Sequence, residues 1–264
     1  MKFKYSALEK ELQRNEKEEQ HFLNKQLNKE ESRLNQFFAD KVPEGLQSTL
    51  DVAFAKAFHA VFEKGTGVIE KTYKKDEIKK DYKINEYIAS VRENKKTLRA
   101  FSKKASGAGR TNLLISGASG IGMGVLGIGL PDIVVFTSLM LRSVYEIGLN
   151  YGVDYKSTEE KKFILLLIQG AVSHDETLLK INNELNYYME HGTFEGAIHL
   201  EQCIRDTAAS LSKELLYMKF LQGIPLVGAV GGAYDVAYMK QINKFAQIKY
   251  RRRYLVGKKR YSEI

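Results

Sequence analysis

TNLLISGASGIGMGVLGIGLP, residues 111–131, carries no charged side chain and has six glycines, at 117, 120, 122, 124, 127 and 129. Gly120 and Gly124 stand four apart, and so do Gly228 and Gly232 near the other end of the chain. On a helix that spacing puts both glycines on one face, where another backbone can approach closely. Each block lies beside a proline, Pro131 or Pro225. The pattern predicts two glycine-rich helical hairpins packed centrally, with Gly120, Gly124, Gly127, Gly129, Gly228, Gly231 and Gly232 at the close contacts. The uncharged run is long enough to cross a bilayer. Against a stable span stand its polar residues Asn112, Ser116 and Ser119, and glycine, which costs about 1 kcal/mol per residue relative to alanine in a helix. A buried or peripheral hairpin fits better. Gly122–Gly127 also reads as G-x-G-x-x-G. A dinucleotide site would need a strand before it and a βαβ unit around it; Leu113-Leu114-Ile115 could supply one short strand, and no second follows.

Outward from this block the chain reads as helices. Ser6-Ala7-Leu8-Glu9 is a capping box, in which the hydroxyl and the carboxylate satisfy free backbone N–H groups reciprocally. It opens an amphipathic helix running to about Phe38. Pro43 suits a first helical turn, and Leu46, Leu50, Phe54, Ala57, Phe58, Val61 and Phe62 line the next buried face, with Gly65 and Gly67 ending it. A third stretch, about Val68–Ser102, places Ile78, Tyr82, Ile88 and Val91 among many lysines and is broken once. An apolar helix runs from Pro131 to Tyr151, closed by Gly152. Ser157-Thr158-Glu159-Glu160 is a second capping box. Helices follow at about Glu176–Glu190, Gly196–Gln222 and Leu226–Leu255. No alternating strand pattern of useful length appears, so the expected class is all-α, a multi-helix bundle.

The chain of 264 residues is 44% apolar, with one Cys, three Pro and no Trp. That apolar share supports a buried core. One cysteine excludes an internal disulfide framework and a zinc site of several thiolates. The start, Met1-Lys2-Phe3-Lys4-Tyr5, has no apolar core of a secretory signal, which points to the cytoplasm. Charge is end-loaded: residues 1–105 carry net +6, residues 106–234 net −4, and residues 235–264 net +7. Such a pattern suits a polyanion or an acidic partner. The sharpest run is Lys249-Tyr250-Arg251-Arg252-Arg253-Tyr254, followed by Lys258-Lys259-Arg260-Tyr261. These bases suit anionic headgroups, and the tyrosines suit the boundary between lipid and water. No nucleic-acid module is present, so nucleic acid is not the expected partner.

Candidates for chemistry are few. Asp132 and Glu146 fall on nearly one face of an apolar helix, Arg142 lies one turn before Glu146, and Asp235 on the last helix could join them in a small polar cluster. The ordinary reading is a dipole-offsetting Asp132 and a helix-surface Arg142–Glu146 pair. His199 and Cys203 share a helix face, but no second ligand pair accompanies them, so no metal and no cofactor is expected. No Gly-x-Ser-x-Gly elbow occurs, and no catalytic residue is nominated.

Gly127-Ile128-Gly129-Leu130-Pro131-Asp132-Ile133, Arg142-Ser143-Val144-Tyr145-Glu146-Ile147 and Tyr151-Gly152 resemble the central signature of EcsC-like bacterial proteins. Ile224-Pro225-Leu226-Val227-Gly228-Ala229-Val230-Gly231-Gly232, Tyr250-Arg251-Arg252-Arg253 and Val42-Pro43 extend the likeness, which covers about residues 40–256. The expected organisation is a charged amphipathic extension over 1–40, an EcsC-like helical domain over 41–256 and a basic tail over 257–264. The family takes its name from a gene beside those of an ABC transporter affecting protein secretion and processing. The resemblance therefore implies a non-enzymatic accessory protein on the inner face of the cytoplasmic membrane. Its expected partners are an anionic membrane surface and a transporter or other protein. A soluble helical scaffold or an enzyme acting on an apolar, lipid-like substrate remain alternatives.

Overall fold

The computed structural model describes residues 6–28, 45–107, 130–174, 176–221 and 233–263, without the side chains of 130–132, 217–221, 233–236 and 262–263. Ten α-helices are found there: α1 (Ala7–Leu27), α2 (Leu46–Ala60), α3 (Thr66–Glu70), α4 (Lys75–Val91), α5 (95–107), α6 (Leu130–Asn150), α7 (Thr158–Val172), α8 (Glu176–His191), α9 (Leu200–Leu221) and α10 (Ala233–Glu263). No strand occurs among the described residues, in agreement with the all-α expectation. The glycine hairpins are another matter. Gly120, Gly124, Gly127, Gly129, Gly228, Gly231 and Gly232 lie outside the described residues.

Local signals set most helix ends. Ser6 Oγ accepts from Glu9 N at 3.1 Å and Ser6 N donates to Glu9 Oε2 at 2.7 Å, so the first capping box is complete. Gly152, at φ +80°, closes α6 in a left-handed conformation that L side chains avoid. The sequence places a helix end at Gly65 and Gly67, yet the chain passes from α2 through a π-helical turn, Val61–Gly65, straight into α3. Buried Val61 and Phe62 anchor that turn, and Thr66 Oγ1 donates to Val61 O at 2.9 Å. The stretch 68–102 is broken twice rather than once. Thr72 Oγ1 bonds back to Ile69 O at 2.7 Å at the first break. At the second, Asn94 Oδ1 accepts from Thr97 N at 3.1 Å and Thr97 Oγ1 accepts from Asn94 N at 3.1 Å, a reciprocal cap that starts α5.

Helix α7 is the centre. Every residue from Phe163 to Val172 is buried, the mark of a helix packed on all sides. It touches α8, α9 and α10, while α2 packs on α9 and α6. At 31 residues α10 is about 46 Å long, and it packs against α1, α6, α7 and α8. The first helix is part of this core. Phe22 stacks on Phe245 of α10 with ring centroids 4.8 Å apart, and Leu8 packs with Leu98 and Leu255. Burying a phenylalanine contributes roughly 2 kcal/mol, so α1 is structural rather than a loose extension. Helix α6 contains a stretch, Ile133–Asn150, long and apolar enough to cross a membrane, but 67% of it is buried inside the fold.

Candidate functional site

The basic run of α10 meets the polar face of α1. That face is unusual, because Glu11, Asn15, Glu19 and Gln26 are as buried as Leu8, Phe22 and Leu23. Lys249 is wholly buried, with Nζ 3.0 Å from Glu19 Oε1 and 2.8 Å from Asn186 Oδ1, and it also donates to Asn182. Burial pushes its ammonium down to about 8 despite the pull of Glu19. For Glu19, burial opposes ionisation, but the charge of Lys249 and bonds from Asn186 and Lys249 prevail and lower its carboxyl. Arg251 donates to Asn15 and lies 2.8 Å from Glu18, which Lys244 also meets at 2.8 Å. Arg252 pairs with Glu190 at 2.9 Å.

On the opposite side of α10, Tyr250 Oη donates to Glu160 Oε1 at 2.7 Å, and Arg253 Nη1 lies 2.6 Å from Glu160 Oε2. The Arg253 guanidinium also sits 5.2 Å from the Phe163 ring centroid and 5.1 Å from that of Tyr188. Glu160 therefore serves two roles. Its N–H is capped by Ser157 Oγ at 3.1 Å, but its carboxylate turns inward rather than back to the cap, so the second capping box is half formed. Further along, Lys258 pairs with Glu86 at 2.8 Å and Arg260 donates to Met189 O at 2.8 Å, while Lys259 is exposed. The tail bases thus do not form one solvent-facing strip. Lys249 and Arg251 in particular are internal counter-ions, because α1 and α8 bring buried carboxylates and amides to them.

Of the expected polar cluster, the side chains of Arg142 and Glu146 are described. Arg142 Nε bonds Glu146 Oε1 at 2.8 Å, the ordinary one-turn pair. Their neighbours are aromatic: Arg142 lies 6.0 Å from the Tyr73 ring centroid, Tyr73 and Tyr155 share a 2.6 Å hydrogen bond, and Tyr155 donates to Glu70 at 2.8 Å. Burial, above all, raises both phenols, so they stay protonated donors. Asp132 sits fourteen positions before Glu146 on the continuous helix α6, about 21 Å along its axis. A shared face does not make them one pocket. The side chains of Asp132 and Asp235 lie outside the described residues.

Cys203 is buried, which pushes its thiol up to about 11, and His199 is exposed. Among the described residues no three His, Cys, Asp or Glu side chains are placed to hold a metal ion.

The feature that the sequence reading missed is on α4. Ile78 and Tyr82 pack against the core and Ala89 is buried. Ile84, Tyr87, Ile88 and Val91 are exposed, Tyr87 by 71% and Val91 by 70%. Their spacing, three and four residues, aligns them on one outer face. Lys80, Lys83, Arg92, Lys95 and Lys96 around that stripe are exposed too. The sequence shows Ile78, Tyr82, Ile88 and Val91 together among lysines, without saying which of them face inward. Periodicity shows that a stripe exists, but here two stripes share one helix, and only packing says which is covered.

With this architecture in view, the family of the chain can be stated. The EcsC protein family model matches residues 6–255, and the chain belongs to that family. The matched range includes α1, in keeping with its place in the core. The chain is 25% identical over 212 residues to "Protein EcsC" of Bacillus subtilis (strain 168), covering 79% of this chain and 78% of that protein. It is 24% identical over 158 residues to "Uncharacterized protein YdbA" of the same organism, covering 60% of this chain and 58% of that protein. No solved structure matches it.

Proposed function

We propose that this EcsC-family protein is a non-catalytic accessory protein that docks peripherally on an anionic membrane surface from the cytoplasmic side, through α4. One observation carries the reading: the exposed Ile84, Tyr87, Ile88 and Val91 stripe with lysines and arginine around it. A helix that shows an apolar face between bases lies in the interface plane, its apolar side chains among acyl chains and its bases at the headgroups. Tyr87 adds an aromatic ring of the kind that favours that depth. Relative to the reading from sequence alone, the contact moves from the buried part of α10 to α4. A transporter beside which the protein sits is a further part of the proposal, supported by the family resemblance alone.

Flotation with vesicles tests it. The protein is expected to float with phosphatidylcholine vesicles containing phosphatidylserine, at low salt, and to stay behind with phosphatidylcholine alone. Ile84→Glu with Ile88→Glu should abolish flotation without unfolding the chain. Equal flotation of this double variant would overturn the proposal. So would failure of the natural sequence to float, which would leave the stripe to a protein partner.

A further inference from the structure

The outer face of α1 carries a second charged surface, separate from α4. Lys10, Gln13, Arg14, Lys17 and His21 recur every three or four residues and so share one side of the helix. Across from them stands Lys244 of α10, and together they line an open groove of ≈ 500 Å³. The buried side of the helix holds the carboxylates of Glu11 and Glu19, while its outer side carries the bases together with exposed Glu9 and Glu16. Four fixed positive charges line the groove, from Lys10, Arg14, Lys17 and Lys244, with the carboxylate of Glu18 among them, and Arg14 also lies 3.4 Å from Glu11 on the buried side.

Glu18 does not neutralise the groove; it shapes it. Its carboxylate lies 3.2 Å from Arg14, 2.8 Å from Lys244 and 2.8 Å from Arg251, which comes from the buried side. It thereby fixes where the Arg14 and Lys244 head groups stand, and shares its one negative charge among three cations. Lys10 and Lys17 have no ion-pair partner among the described residues. Gln13 and His21 add further polar side chains on the same wall.

We infer that the α1–α10 groove binds a phosphate group, as a phosphomonoester or free phosphate dianion. Several N–H donors around an excess of positive charge match an ion with two charges and oxygens on all sides. A carboxylate would use fewer of the donors and offset less of the charge. The site is independent of membrane docking by α4, since no residue is shared between the two.

Isothermal titration with inorganic phosphate, and with pyrophosphate, tests the groove on the full chain. Binding should be saturable below about 10 mM and should weaken as salt rises. Lys10→Gln with Lys17→Gln should weaken it about tenfold, and Lys17→Gln alone should fall between. Lys25→Gln, on α1 beyond the groove, should leave it unchanged. Ile84→Glu with Ile88→Glu should also leave it unchanged, whatever becomes of vesicle binding. The source of the phosphate is read from vesicles: stronger binding to phosphatidic acid than to phosphatidylserine at equal surface charge, lost in the double lysine variant, marks a lipid headgroup. Phosphate binding without that preference marks a soluble phosphate ester. No saturable phosphate binding, or the same binding in the double lysine variant, overturns the inference.

Discussion

Lys249 Nζ lies 3.0 Å from Glu19 Oε1, and neither side chain reaches solvent: Lys249 is 0% and Glu19 3% exposed. This contact joins the first helix to the last through an ion pair whose charges need each other. Lys249→Met should destabilise the fold by about 3–5 kcal/mol, because it strands the Glu19 carboxylate in the core. Adding Glu19→Leu should recover much of that loss. Urea unfolding of the two single variants and the double variant measures the coupling; additive losses would mean that the pair does not act as one unit.

Acid should loosen the same seam. In the fold, burial works against ionisation of Glu18, yet Arg251 and Lys244 lower its carboxyl from an ordinary 4.5 to about 2, and Glu19 is lowered too. The unfolded chain then binds more protons than the folded one in this window, so stability rises with pH there. The contribution is complete above about pH 4.5 and is lost as pH falls toward 2. Unfolding followed by circular dichroism from neutral pH downward should show it, and Glu18→Gln should flatten the slope.

Gly152 tolerates no side chain. Its φ of +80° strains any L residue, and a Cβ would fall on the Tyr82 ring. Gly152→Ala is expected to cost about 2 kcal/mol or more, from the left-handed backbone and the displaced ring together. Adding Tyr82→Ala should relieve the clash but not the backbone strain. A melting temperature unchanged by Gly152→Ala would contradict both parts.

Phe22→Ala opens a cavity against Phe245 and should cost about 3–5 kcal/mol. Deleting residues 1–28 goes further, since it bares Phe245 and leaves Lys249 without Glu19. The shortened chain is expected to be insoluble or molten, read by the loss of near-ultraviolet circular dichroism. A cooperatively folded product would make α1 dispensable.

Sequence reading located most of the helices because their signals are local. Ser6–Glu9, Gly152 and the Gly192 stop after α8 (φ +79°) are recognisable without any knowledge of neighbours. The misreadings share a cause of the opposite kind. Glu160 looks like the reciprocal half of a cap, but Tyr250 and Arg253, about ninety positions away, take its carboxylate. Lys249 looks like a surface base until Glu19, Asn182 and Asn186 surround it. Arg142 and Glu146 were legible as a pair, one turn apart on α6. The α4 stripe was legible as a period, but which side is wet depends on what packs beside it.

The Phe22–Phe245 stack has a bearing on how the protein is made. Its two rings belong to helices at opposite ends of the chain, and Glu19 and Lys249 beside them are 230 positions apart. Contacts so distant along the chain carry a large loop-closure cost and slow folding. On the ribosome, α1 emerges more than 200 residues ahead of α10, so a nascent polypeptide holds the apolar and acidic inner face of α1 unmatched until α10 follows. Completion of this seam waits for α10, and a product truncated before it keeps α1 without its mate.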